Sequence, residues 1–137
     1  MIIRKPESTI QWRRLSLALA FQVVVLILTH IPQERMPIDL NRLSMDKAIH
    51  TLAYGGLTFL FLLAFGLPRR PLVLVAIVGC MLVVAALDEW TQGFVGRSSS
   101  QADFCADGVG IVLAVVLSLV LKRRRKEVSP LTHGAGR

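Results

Sequence analysis

Apolar positions along this chain gather into long runs, each closed by proline, glycine or clustered charge. The first is centred on residues 15–28 and predicts a helix over about 12–31. The second predicts a helix over about 46–67, ended by Pro68 and Arg69-Arg70. The third predicts a helix over about 71–90, with Pro71 in the first turn, where its missing N–H leaves no bond unmade. Residues 93–102 form a Gly/Ser-rich loop, and the fourth run predicts a helix over about 103–121 that stops at Lys122-Arg123-Arg124-Arg125-Lys126. Each run approaches the ~20 residues needed to cross a bilayer. The expectation is an all-α integral membrane protein built as a four-transmembrane-helix bundle. Its membrane domain spans residues 1–126, and 127–137 is a disordered polar tail rich in Pro and Gly.

Composition agrees with lipid rather than water as the solvent. Hydrophobic residues make up 53% of the chain and the mean hydropathy is +0.58. The net charge of +7 suggests nucleic acid at first sight, but the basic residues cluster at the ends of apolar runs. Membrane anchoring and topology account for them, so no nucleic-acid partner is expected. Arg4-Lys5, Arg13-Arg14, Arg69-Arg70 and the run from Lys122 lie on one side, whereas the loop after the first run is balanced and the loop after the third holds only Arg97. The positive-inside rule then gives an N-in/C-in topology, with both termini cytoplasmic and both longer loops outside. The first run has a basic prefix, as a signal peptide would. It is followed by Thr29-His30-Ile31-Pro32 with no small-x-small cleavage site, so a retained helix is expected. Cys80 and Cys105 fall at depths roughly 10–15 Å apart, beyond disulfide reach, and read as small apolar packers.

Against this background the ionisable residues stand out. They form the clusters Asp46-Lys47-x-x-His50-x-x-x-Tyr54, Asp88-Glu89-x-x-Gln92, and Arg97-Ser98-x-Ser100-x-x-Asp103-x-x-x-Asp107. With the helices threaded as above, all of these meet in the same outer layer. A charge at mid-bilayer costs roughly 2.5–3.5 kcal/mol even on lenient insertion scales, so acids inside spans point to a pocket between helices. Asp46, His50 and Tyr54 recur every fourth residue and share a helix face, as do Asp88 with Gln92 and Asp103 with Asp107. Gly110 and Ala114 continue the last face inward as a seam for close helix approach, and Gly55-Gly56 offers a matching surface.

Structural readings compete with functional ones. Asp46 and Asp103 suit helix N-caps, Lys47 suits a snorkelling residue, and Tyr54 and Trp90 suit interface aromatics. His50 suits an interhelical hydrogen bonder, Arg97 a loop cation that neutralises outer acids, and Ser98, Ser99 and Ser100 loop polarity. His30 and His133 look incidental. Asp88 and Asp107 resist such readings because they lie within their spans.

The candidate chemistry is nonetheless definite. His50, Glu89 and Asp88 are the candidate proton-transfer groups. Asp46, Lys47, Tyr54, Gln92, Arg97, Ser100, Asp103 and Asp107 are candidate ligand-binding groups, with Arg97 able to clamp an anion. His50 with Asp88, Glu89, Asp103 and Asp107 offers one imidazole and several oxygens, a set that takes Mg²⁺, Mn²⁺, Ca²⁺ or Zn²⁺ without strong preference.

These residues, taken with Phe94, Gly96 and Gly110, resemble the VanZ-like family, named for the teicoplanin-resistance protein VanZ. The likeness covers roughly residues 46–110. Asp107 stands where the family usually has Asn, and Ala114 where a second Gly is expected. The resemblance implies a small multi-pass protein of the bacterial cytoplasmic membrane, linked in one member to resistance against a lipoglycopeptide; it implies no known reaction. Three functions compete. One is a binding or shielding protein for an envelope or lipid-headgroup ligand. Another is a membrane-embedded, metal- or acid/base-dependent enzyme acting on a lipid-linked envelope substrate. The last is an ion or proton relay, weakened by the scarcity of polar residues in the inner half.

The topology is open to test by reporter fusions. Alkaline phosphatase joined after Arg42 or Arg97 is expected to be active, and after Arg70 or Lys126 inactive; the opposite pattern would invert the bundle.

Overall fold

The structure, a computed structural model, describes residues 10–32, 35, 45–67, 71–97 and 100–128, with side chains as far as 124. Its helices are α1 (Trp12–Thr29), α2 (Met45–Ala64), α3 (Pro71–Gln92) and α4 (Gln101–Val128), with a 3₁₀ turn, Gly93–Val95, after α3. No strand occurs among the described residues. All four helices are long and apolar enough to cross a membrane, as the hydropathy pattern predicts. The side of the membrane on which the termini lie is not set by the fold.

The boundaries depart from the sequence expectation for identifiable reasons. α2 ends at Ala64 rather than near Leu67. Gly66 adopts a left-handed conformation (φ 71°) and Leu67 follows it at φ 53°. The Leu67 N–H bonds Leu62 O at 2.8 Å and the Gly66 N–H bonds Leu63 O at 3.1 Å, a Schellman closure that satisfies the last carbonyls. α3 runs two positions past the expected end at Trp90, to Gln92. It closes through Gly96 (φ 74°), with Arg97 N–H on Gln92 O at 3.3 Å. α4 starts earlier, at Gln101, because Ser100 serves as its N-cap: Ser100 Oγ accepts the Asp103 N–H at 3.1 Å. It also continues through the basic run to Val128, so residues 127 and 128, expected in the polar tail, are helical. The rest of that tail, 129–137, and the turn at 68–70 lie outside the described residues.

Hydrogen bonds at both ends of the bundle show how the helices are threaded. Gln11 N–H bonds Ala64 O at 2.9 Å, joining the start of α1 to the end of α2. At the opposite end Thr51 Oγ1 donates to Ala106 O at 3.0 Å, so α2 and α4 start together and run parallel. α2 occupies the middle and packs on all three other helices, most extensively on α4. The core lies around it: Val25, Tyr54, Leu57, Leu62, Ile77, Met81, Ala85 and Ile111. The outer face carries Leu17, Val23, Ile27, Leu52, Leu72, Val75, Val83 and Val112, all exposed. Such a continuous apolar exterior belongs in lipid, since soluble monomers rarely expose patches beyond several hundred Å². Cys80 and Cys105 are both free and lie on this exterior, not in the packing role expected of them.

The α2–α4 seam is built on glycine, as the small-residue pattern predicts. A Cβ on Gly55 would lie 3.1 Å from Gly110 O, and one on Gly110 would sit 2.9 Å from Gly55 N and closer still to Thr51 O. The facing atoms are backbone and cannot rotate away. Gly56 instead faces the Phe21 ring, at 3.5 Å from such a Cβ, and Ala114 is buried one turn inward from Gly110.

Gly110→Ala is therefore expected to destabilise the bundle by about 1–3 kcal/mol through overpacking, read as a lower midpoint of thermal unfolding in detergent. Gly108→Ala, with nothing within 4 Å of its added Cβ, is the control and should leave the midpoint nearly unchanged.

Candidate functional site

The sequence clusters converge at one end of the bundle. Asp46, His50, Tyr54, Asp88, Glu89, Gln92, Asp103 and Asp107 are all buried there, Tyr54 and Asp107 completely. The helical spacing accounts for this directly: residues at every fourth position of α2, α3 and α4 turn the same face inward.

The outermost layer is a structural clasp. Arg97 follows the left-handed Gly96, which turns the chain back over the bundle. Its Nη2 donates to Asp46 Oδ1 at 2.9 Å, and its Nη1 donates to Leu28 O at 3.3 Å and Thr29 O at 3.2 Å. One guanidinium thus satisfies the last carbonyls of α1, meets the negative end of that helix dipole, and pairs with an acid in the first turn of α2. Both partners are largely buried, at 8% and 11% side-chain exposure. Lys47 is different: its ammonium is half-exposed and reaches Asp103 Oδ1 only at 3.8 Å.

Beneath Arg97, Asp88 is tied off at both oxygens and Asp103 at one. Asp88 Oδ1 accepts from Thr29 Oγ1 at 2.8 Å, and its Oδ2 accepts from Gln92 Nε2 at 3.2 Å. His30 Nδ1 stands 3.5 Å from Asp88 while donating to Leu26 O at 2.9 Å, and its Nε2 lies 3.0 Å from Thr91 Oγ1. Asp103 Oδ2 accepts from Ser100 Oγ at 2.6 Å. Neither Asp46 nor Asp103 precedes its helix, so Ser100 takes the capping role assigned to Asp103.

The centre is His50 with Glu89 and Asp107, from three different helices. His50 Nδ1 donates to Asp107 Oδ1 at 3.0 Å and lies 3.7 Å from Glu89 Oε1. Glu89 Oε2 is held by the Ser100 N–H at 3.1 Å, which fixes that carboxylate in place. One ligand atom from each of His50, Glu89 and Asp107 lies within 4.8 Å of the others, so these residues could hold a metal ion. The other sequence candidates for a metal, Asp88 and Asp103, fall outside this group and are engaged as described above. Glu89 Oε1, Asp107 Oδ2, Asp103 Oδ1 and the Tyr54 hydroxyl are buried with no hydrogen-bond partner. A buried polar atom without a partner costs about 1–3 kcal/mol, more when charged, and four of the seven such atoms among the described residues gather at this centre.

A cleft reaches this centre from the side. It is a shallow, open depression of about 310 Å³ between α3 and α4, lined by Ala86, Glu89, Trp90, Ser100, Gln101 and Phe104. Trp90 packs edge-on against Phe94 with ring centroids 5.4 Å apart. A second crevice, of about 470 Å³, lies toward the other end between α2 and α3 and is wholly apolar, lined by residues such as Phe61, Leu72 and Met81.

Every sequence-predicted site residue is described and lies at this end; of the loop serines, 98 and 99 lie outside the described residues. Thr29, His30, Thr51 and Thr91 were missed. His30 in particular is not incidental, because it and Thr29 bring α1 into the Asp88 network. The available signal was topological: the end of α1 must emerge in the layer where α2 begins. Fold and site together define a multi-pass, all-helical membrane protein with a buried acidic and histidine-bearing centre at one end. No protein-family model, curated protein or solved structure matches the chain.

Removing one partner of the Arg97–Asp46 pair strands a buried charge, so Arg97→Met is expected to lower stability by about 3–5 kcal/mol. The double variant Arg97→Met/Asp46→Leu should recover part of that loss in detergent unfolding. Additive losses would mean the pair is not coupled.

Proposed function

We propose that this protein is a VanZ-like membrane protein whose polar end faces the outside of the bacterial cytoplasmic membrane and binds the headgroup of a cell-envelope ligand. The observation that carries this reading is the α3–α4 cleft, where Glu89 and Ser100 meet the lipid-facing aromatics Trp90 and Phe104. A ligand anchored in the bilayer can enter sideways there without crossing water.

The charge balance narrows the ligand. Five buried carboxylates face one buried arginine and one half-exposed lysine. Arg97 is already committed to Asp46 and two carbonyls, which argues against the anion-clamp role expected of it. The partnerless atoms near the cleft are acceptors, Glu89 Oε1 foremost. Such a site selects an ammonium or other donor-bearing headgroup over a purely anionic one. The VanZ-like resemblance supports a role at the envelope and, through it, a contribution to tolerance of teicoplanin-type drugs, with the termini in the cytoplasm.

A second reading, a membrane-embedded enzyme acting on a lipid-linked substrate, is favoured by one feature. His50, paired with Asp107 and beside Glu89, has the arrangement of an oriented acid/base group. The two readings part on whether the ligand is recovered unchanged.

Native mass spectrometry of the detergent-purified protein tests the proposal. Phosphatidylethanolamine is expected to be retained over phosphatidylglycerol, and Glu89→Gln to lose that preference by roughly tenfold or more. Equal retention of both lipids by the unaltered protein would sink the headgroup reading, and conversion of a bound lipid-linked substrate would replace it with the enzymatic one.

A further inference from the structure

We propose that His50, Glu89 and Asp107 form a binding site for one divalent transition-metal ion of the Mn²⁺ or Zn²⁺ type. Their ligand atoms lie within 4.8 Å of one another, close enough that small side-chain shifts would bring them onto one centre with metal–ligand bonds of roughly 2.0–2.2 Å. The set is not a surface patch of acids. His50 is 2% exposed, Glu89 6% and Asp107 0%, and each comes from a different helix.

Independent features point to an ion rather than to a closed salt bridge. A salt bridge that satisfied the group would use up its oxygens, yet Glu89 Oε1 and Asp107 Oδ2 are buried without a hydrogen-bond partner, and His50 approaches Glu89 Oε1 only to 3.7 Å. The Tyr54 hydroxyl, fully buried and making no well-formed hydrogen bond, lies nearest in charge to Asp88, with Asp107 and Glu89 further along the same wall. It can bond a metal-bound water. The supports are also those of a built site. Glu89 is oriented by the Ser100 N–H, and the α2–α4 glycine seam sets the His50–Asp107 separation.

The ligand set chooses the class of ion. An imidazole nitrogen suits Mn²⁺, Zn²⁺ and their neighbours better than Ca²⁺, which takes six to eight oxygens. A neutral imidazole would present Nδ1 to the ion with its proton carried on Nε2, so the metal would take the place of the Nδ1–H bond to Asp107. Three protein ligands would leave at least one coordination position for water or a ligand, and Glu89 lines the cleft. The ion needs no lipid, so this inference stands or falls apart from the headgroup reading.

The test is titration of metal-stripped, lipid-free protein in detergent with Mn²⁺ alone, followed by electron paramagnetic resonance. One equivalent should bind, with a nitrogen coupling from the imidazole in the pulsed spectrum. His50→Gln should abolish the coupling, and Asp107→Asn should weaken binding by at least about tenfold. Zn²⁺ should compete for the same equivalent. No stoichiometric binding, or binding without nitrogen coupling in the unaltered protein, overturns the proposal even where a variant fails to fold. Metal binding without lipid selectivity would leave this site standing and remove the headgroup reading; lipid selectivity without metal binding would do the reverse.

Discussion

Charge removed from water inside an apolar bundle must find partners, and the upper half of this protein is organised by that demand. Five carboxylates and an imidazole lie below the surface where lipid offers them nothing. Arg97 answers for Asp46 and for the open end of α1; Thr29 and Gln92 answer for Asp88; Ser100 answers for both Asp103 and Glu89. These bonds hold α1 to α2, α1 to α3, and Arg97 and Ser100 to the bundle. Only after that pairing is complete does a small set of oxygens remain unmatched, and that remainder defines the site.

The glycine seam supplies the other half of the geometry. Gly55 and Gly110 let the α2 and α4 backbones approach to a distance no side chain would permit. Because the two helices run parallel and start together, closeness at the seam carries up the helices to His50 and Asp107. Packing in the apolar half and chemistry in the polar half are therefore linked: widening the seam would part the imidazole from its carboxylate.

The acid-rich centre explains why the arginine in the sequence motif is not free to receive an anion: Arg97 is committed to Asp46 and to two α1 carbonyls. Under the two proposals, a cation deep between helices and a headgroup at the edge would share Glu89. It presents one oxygen to the Ser100 backbone and the other toward His50.

Much of this was legible in the sequence. Hydropathy runs near the length of a bilayer dictated four helices, and fourth-residue spacing dictated which face of each turns inward. The small residues at 55, 110 and 114 announced a close helix contact. Alternation of the spans then required the polar clusters to meet at one end. What only the tertiary structure decided was pairing. Sequence periodicity places a side chain on a face but does not say which atom across the interface it meets. Hence Arg97 proved to be a clasp for α1 and α2, Ser100 rather than Asp103 proved to be the cap, and His30 entered the network from a helix that carried no motif. The three residues that can share an ion, drawn from positions 50, 89 and 107, are adjacent only because helix packing makes them so; no local rule of sequence separates them from Asp88 and Asp103.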